Sequence, residues 1–189
     1  MPAAESQPPV PPVPSVPSVP PVLREGGVAD AAAVAALYVA SRRTAYAGLV
    51  PAPVLAAEGA EQELLWTLRL DADYGTPADT PVLLLAEDAG RAGSPAGGLL
   101  GFAYLVPDGG LVRLEHLHVR PGRTGGGIGG LLLRAALDRA AGTPVRLEVL
   151  AANRRAVAFY ERHGARRLGG GTARFPDGTE LPEYAYGWN

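Results

Sequence analysis

The sequence predicts a mixed α/β (α+β) fold, with a mostly antiparallel central sheet flanked by helices. Three observations carry this. Three apolar runs of strand length between Pro81 and Val119 are separated only by turn-forming segments, which makes an antiparallel meander. The third run opens into a glycine-rich loop and an apolar helix, and another strand follows, so a β-α-β crossover extends the meander. A chain of 189 residues, 47% hydrophobic and 19% charged, is long enough for one proper core and short for two.

Residues 1–21 read as a disordered tail. From Pro8 to Pro20 a proline falls on every third residue, and Val10, Val13, Val16, Val19 and Val22 keep the same period. Polyproline II has three residues per turn, so the valines line one edge of an extended rod that cannot bury a core. The domain proper covers 22–189. Val22–Arg24 is a short strand, Gly26-Gly27 turns, and Asp30 stands at the N-cap position before a helix over Ala31–Arg43. Tyr46–Pro53 reads as a turn. A second helix covers Glu61–Leu70, with Leu64, Leu65 and Leu68 on one side, and 71–81 is loop.

Pro81–Ala86 and Gly98–Val106 are strands. Asp88–Gly97 joins them, and its Gly, Ala and Ser content marks a mobile hairpin loop. Pro107-Asp108-Gly109-Gly110 turns the chain into a third strand, Leu111–Val119. A helix runs to Ala141, with Ile128, Leu131, Leu132 and Ala135 at i, i+3, i+4 and i+7. Val145–Leu150 is a strand and Arg154–His163 a helix stopped by Gly164. Ala165–Leu168 and Glu183–Trp188 supply two last strands.

Composition excludes several functions. A net charge of −2 offers no basic face for nucleic acid. With no Cys there is no disulfide, thiolate metal site or cysteine nucleophile. No apolar run approaches the roughly 20 residues of a membrane span, and no basic segment leads into an apolar one at the start, so the expected location is cytoplasmic. All 17 basic residues are Arg, which with abundant Ala, Gly and Pro points to a GC-rich, bacterial source.

The chemistry concentrates in Leu114–Arg134, a strand, a glycine loop and a helix N-terminus. Glycines let a backbone approach a phosphate closely, first-turn N–H groups lack intrahelical partners, and the helix dipole favours an anion. Gly125, Gly127 and Gly130 satisfy the dinucleotide pattern G-x-G-x-x-G. That pattern wants its glycines directly after the first strand and an acidic residue at the tip of the next. Here Arg120 to Thr124 intervene, Glu148 lies inside its strand, and too little chain follows Gly130 to complete such a domain.

Val119-Arg120-Pro121, then Gly125-Gly126-Gly127-Ile128-Gly129 and an apolar helix, resembles the acetyl-CoA motif of the GNAT superfamily of N-acetyltransferases. Asn153 to Ala165 (NRRAVAFYERHGA) resembles that family's next motif, and Tyr46 to Pro51 its loop between the first two helices. The resemblance covers Val22 to Trp188 and implies a GNAT-like acyl-CoA N-acyltransferase fold, with acetyl-CoA as cosubstrate and an amine acceptor as partner. It implies contacts to acetyl-CoA from Leu117, His118 and Val119. Further contacts are implied from Arg123, Thr124, Gly125, Gly126, Gly127, Ile128 and Gly129, and from Asn153, Ala156 and Phe159. One position departs: Thr124 stands where the family usually has Arg or Gln, and Arg123 or Arg120 would supply the missing charge. A non-catalytic acyl-CoA sensor, an interaction module working through the Pro/Val tail, and a homodimer remain alternatives or additions.

Acyl transfer from a thioester to an amine needs a neutral amine, a polarised carbonyl and a protonated leaving thiol. An amine with a pKa of about 10.4 is neutral in about one molecule in 2,500 at pH 7, a cost of about 4.6 kcal/mol. A carboxylate that accepts the proton relieves it. Glu115 on the strand entering the loop is the candidate base, against an ordinary outward-facing Glu. Tyr160 is the candidate acid, against a packed core Tyr, since Ala156, Phe159, Tyr160 and His163 share a helix face. Asn153 precedes that helix as an N-cap, and a backbone N–H of Val119 is placed to polarise the carbonyl. His116 and His118 lie on one strand face, opposite Glu115 and Leu117, with no third metal ligand nearby in sequence. Tyr46, Trp66, Tyr184 and Tyr186 line an acceptor pocket or fill the core.

Overall fold

A computed structural model describes residues 20–57, 61–90 and 98–189. Most of the Pro/Val tail and of the 88–97 connection therefore lies outside the described residues. The order is β1 (Val22–Glu25), α1 (Ala31–Ala45), α2 (Ala52–Ala57), α3 (Gln62–Asp71), β2 (Val82–Glu87), β3 (Leu99–Asp108) and β4 (Leu111–Val119). Then come α4 (Ile128–Arg139), β5 (Val145–Leu150), α5 (Arg154–Arg162), β6 (Arg166–Arg174) and β7 (Glu180–Trp188). One seven-stranded sheet runs β1-β2-β3-β4-β5-β7-β6, antiparallel at every step except β4–β5. The predicted mixed, mostly antiparallel sheet is what forms.

Helices cover both faces, which is why β2 buries Leu83 to Glu87 without alternation. Leu84, Ala86, Ala103 and Leu105 pack with Ile128, Leu132, Leu133 and Ala136 of α4. Leu83, Leu85, Phe102 and Tyr104 pack with Val34, Leu37, Tyr38 and Trp66 of α1 and α3. No helix among the described residues is long and apolar enough to cross a membrane.

Four local expectations change. Asp30 caps α1 with no side-chain bond; its carboxylate turns back to accept from the Gly27 N–H at 3.0 Å and to pair with Arg24 at 2.6 Å. A charge-assisted pair outweighs a cap bond there. Pro51 leads into the short α2, so the Tyr46–Pro53 turn closes before Pro53. On α3 the leucine side is outside: Leu64 and Leu68 are 61% and 58% exposed while Trp66 is fully buried. The indole meets the Tyr38, Phe102, Tyr104 and His116 rings edge-on or tilted at 5.2–6.1 Å, a ring cluster that leucines cannot complete. Finally, β3 runs through Pro107 to Asp108 and only Gly109-Gly110 turns. Pro107 is tolerated because β2 pairs no further than Leu105, so no neighbour wants its missing N–H.

Candidate active site

β4 and β5 pair at only two positions, Val112 with Val145 and Arg113 with Arg146. Beyond them β4 stays with β3 and β5 with β7, so a wedge opens between their C-terminal halves. The cause lies in β4. His116 faces Tyr104 and Leu114 faces Leu105, which leaves Glu115 with no opposite residue. A bulge of this kind bends a strand and increases its twist.

The bulge also decides which backbone groups line the wedge. The Arg120 N–H donates to the Leu100 carbonyl at 2.8 Å. Alternation then gives the polar groups of His118 and His116 to β3 and turns those of Leu117 and Val119 to the open edge. His118 is therefore not placed to meet a ligand in the wedge. Its side chain lies on the α1 side, stacked on Phe102, with Nδ1 3.1 Å from Ser41 Oγ. Burial holds its pKa down to about 3. His116 is also held well below the usual value by burial, with His118 adding to it, and its Nε2 accepts from Arg69 at 3.2 Å. Both rings are neutral packing groups. Among the described residues no group of three or more His, Asp or Glu is arranged to hold a metal.

The glycine loop follows β4. Gly125 and Gly127 have φ of +90° and +81°, values that only glycine takes readily, whereas Gly126 does not. Gly127 is the residue before α4, so the N–H groups of Ile128, Gly129 and Gly130 have no intrahelical acceptor and face the loop with the positive end of the helix. Arg123, Thr124 and the three glycines are exposed, and buried Ile128 anchors the helix start. Arg123 pairs with Asp88 at 3.6 Å, so its charge is partly engaged before any anion arrives. Arg120, at the strand end, is half-buried.

From the other side α5 closes in. The Asn153 side chain accepts from the Ala156 N–H at 3.2 Å and caps α5. Ala156, Phe159 and Tyr160 pack against the α4-side core, as Leu117 and Val119 do. Gly129 lets α4 approach Phe159, whose ring is 3.5 Å from where a Gly129 side chain would begin. Tyr160 meets Phe159 and Trp188 edge-on at 5.2 and 6.2 Å, and its hydroxyl has no hydrogen-bond partner among the described residues. Burial first, and the neighbouring Tyr46 phenol second, push its pKa up, so the group stays protonated at neutral pH.

Strict alternation would set Glu115 beside Leu117. The bulge instead sends it to an ion pair with Arg113, at the edge of a cavity of about 230 Å³ shared with Arg69, Arg146 and Glu148. A larger cavity of about 560 Å³ lies toward the β1 edge, between the 25–27 turn and the 71–81 loop; it holds neither Glu115 nor Tyr160. The four aromatic candidates divide. Trp66 and Tyr186 are core, the latter donating to Glu161 at 2.6 Å, while half-buried Tyr46 and Tyr184 lie under Arg42 and Arg167 at 4.7 and 3.5 Å. Arg69 and Arg113 escaped the sequence reading. An i−3 aromatic at Trp66 was the one signal for Arg69, and nothing local shows that a bulge brings Glu115 to it.

The residues present fit an acyl-CoA. An open strand edge meets an extended amide-bearing arm, two left-handed glycines and a helix N-terminus meet a pyrophosphate, and α5 adds a phenol with no hydrogen-bond partner among the described residues. No curated protein matches the chain. Solved structures do. A GCN5-related N-acetyltransferase from Rhodopseudomonas palustris is 22% identical with a TM-score of 0.69, covering 92% of this chain and 98% of that one. The PaiA N-acetyltransferase of Thermoplasma acidophilum, solved with coenzyme A, is 19% identical at a TM-score of 0.59 over 87% and 98%. Arabidopsis thaliana NAA60, solved with a bisubstrate analogue, is 16% identical at 0.62 over 89% and 98%. These likenesses establish the fold. The model of the acetyltransferase (GNAT) family matches residues 47–165, the span holding the bulged strand, the glycine loop and α5, and the chain belongs to that family of acetyl-CoA-dependent acetyltransferases.

Proposed function

We propose that the protein acetylates a primary amine by direct attack within a ternary complex, with Glu115 as base and Tyr160 as donor to the leaving sulfur. The observation that carries this is the wedge itself: among the described residues no strand pairs with the open edge at Leu117 and Val119, Glu115 lies on the same strand, and Tyr160 of α5, packed on the same core, keeps a phenol with no hydrogen-bond partner. Acetyl-CoA supplies the thioester. Ile128, Gly129 and Gly130 N–H groups with Gly125 and Gly127 hold its pyrophosphate, and Ala156 and Phe159 wall its arm. Asn153 serves by capping α5. The Val119 N–H donates to the thioester carbonyl. The amine nitrogen attacks the carbonyl carbon as its proton passes to the Glu115 carboxylate, directly or through one water. The C–S bond then breaks and the sulfur takes a hydrogen bond, and then a proton, from Tyr160.

Thiol release measured across a panel of primary amines tests the reading, and turnover of none of them overturns it. Within that assay Glu115→Gln is expected to lower kcat/KM about 10- to 100-fold at pH 7. The gap should narrow as pH approaches the amine's own pKa of about 10.4, where solvent has already removed the proton. An equal loss at every pH would mean that Glu115 positions rather than accepts. The loop has its own check. Gly127→Ala forces an L-residue into left-handed space at a cost of about 1–2 kcal/mol, and should raise the Kd for acetyl-CoA about tenfold in calorimetry. Gly126→Ala, whose nearest neighbour is the Arg123 carbonyl at 3.6 Å, should be far milder.

A further inference from the structure

Beside the candidate base stands a cation that no carboxylate of the described residues satisfies. Arg69 comes from the last turn of α3 and its guanidinium is fixed twice, by stacking 5.2 Å from the Trp66 ring centre and by an Nη1 hydrogen bond to His116 Nε2 at 3.2 Å. The fork carries five N–H donors, and this bond uses one. Among the described residues no Asp or Glu pairs with it, whereas Arg113 is already taken by Glu115. His116 accepts that bond as a neutral imidazole and brings no negative charge to the guanidinium. A preorganised, half-buried guanidinium with free donors is the arrangement that binds a planar carboxylate in two-point fashion.

We propose that Arg69 is a specificity-determining residue that takes the carboxylate of the acceptor, and that the acceptor is a small amino acid rather than a simple amine. This rests on the acetyl-transfer reading of the site. The cavity that Arg69 shares with Glu115 is about 230 Å³, below the usual 300–1,000 Å³ of ligand pockets, which fits a molecule of that size. Its charges agree. Arg69, Arg113 and Arg146 against Glu115 and Glu148 leave one net positive charge, and an amino acid with its amine neutral and ready to attack carries one negative charge. Glu115 then faces the amine end and Arg69 the acid end, so the ammonium of the entering zwitterion is drawn to the carboxylate that deprotonates it.

The test compares kcat/KM for small amino acids with kcat/KM for the same molecules lacking the carboxylate, such as alanine against ethylamine and serine against ethanolamine. Each ratio is taken on one enzyme preparation, so partial loss of fold cancels. Wild type should favour the acid-bearing member at least tenfold. Arg69→Gln should cut that preference about tenfold through a higher KM for the amino acid, and Arg69→Lys should keep part of it. Turnover of the simple amines at equal or better efficiency overturns the proposal while leaving acetyl transfer intact, and so does a preference that survives Arg69→Gln. Failure of every amine and amino acid overturns both readings together, even where acetyl-CoA still raises Tm.

Discussion

Tyr160→Phe is expected to lower kcat by about 10²- to 10³-fold while leaving the Kd for acetyl-CoA within about threefold. The substitution removes one oxygen and little else. The ring keeps its edge-on contacts with Phe159 and Trp188, and because the hydroxyl has no hydrogen-bond partner among the described residues, its loss orphans no buried group there. Tm should therefore hold or rise slightly, which separates a chemical defect from a folding one. Burial also qualifies the role. A phenol pushed above its ordinary value is a weaker acid than tyrosine in water, so it stabilises the departing sulfur as a hydrogen-bond donor first and yields its proton late. It follows that Tyr160 should contribute no alkaline limb to the wild-type pH profile between about pH 6 and 9, since it stays protonated throughout. Single-turnover kinetics with a reactive amine would show the effect on the chemical step. A kcat within about threefold of wild type would remove Tyr160 from the reaction.

Much of the fold was legible because its signals are local. Strand runs bounded by Gly and Pro, the apolar run from Ile128 that predicts α4, and Gly164 at φ +82° all act within a few residues of themselves. Even so, α4 buries Leu133 and Ala136 with Ile128 and Leu132 where the period named Leu131 and Ala135. The loop was legible for the same reason, since Gly125 and Gly127 occupy backbone space that other residues avoid. What failed depended on partners distant in sequence. Leu64, Leu65 and Leu68 outnumber Trp66, yet the aromatic cluster of Tyr38, Phe102 and Tyr104 decides which side of α3 faces in. Period-two alternation assigned Glu115 to the wrong neighbours because one extra residue in β4 breaks it, and that register is set by β3. The same bulge opens the wedge and brings Glu115 to Arg69's cavity. The least legible feature is thus the one that makes the site.

Gly101→Val should be the most damaging single substitution away from the reacting groups. Gly101 lies in β3 directly beneath the start of α4 and needs no unusual φ; what it needs is the absence of a side chain. A Cβ there would stand 2.7 Å from the His118 carbonyl oxygen, 3.0 Å from Leu132 Cδ1 and 3.3 Å from Ile128 Cγ2. The leucine and isoleucine methyls can shift, but the carbonyl is fixed backbone in the strand next door. Valine adds two more methyls to a space that does not hold one. Overpacking of this kind costs about 1–3 kcal/mol where side chains can yield, and the top of that range or above is expected where backbone must. For a chain of this size that is a fall in Tm of roughly 6–12 °C. Lifting α4 from the sheet frees the valine methyls of Leu132 and Ile128, though not of the carbonyl, and α4 begins at Ile128 beside the glycine loop. Lifting it moves the Ile128, Gly129 and Gly130 N–H groups away from the Val119 edge, so the rise in Tm that acetyl-CoA gives the wild type should shrink by more than the stability loss accounts for. Gly101→Ala should fall between the two. A Gly101→Val protein that melts with wild type and gains the full stabilisation from acetyl-CoA would show that the contact between α4 and β3 does not position the cradle.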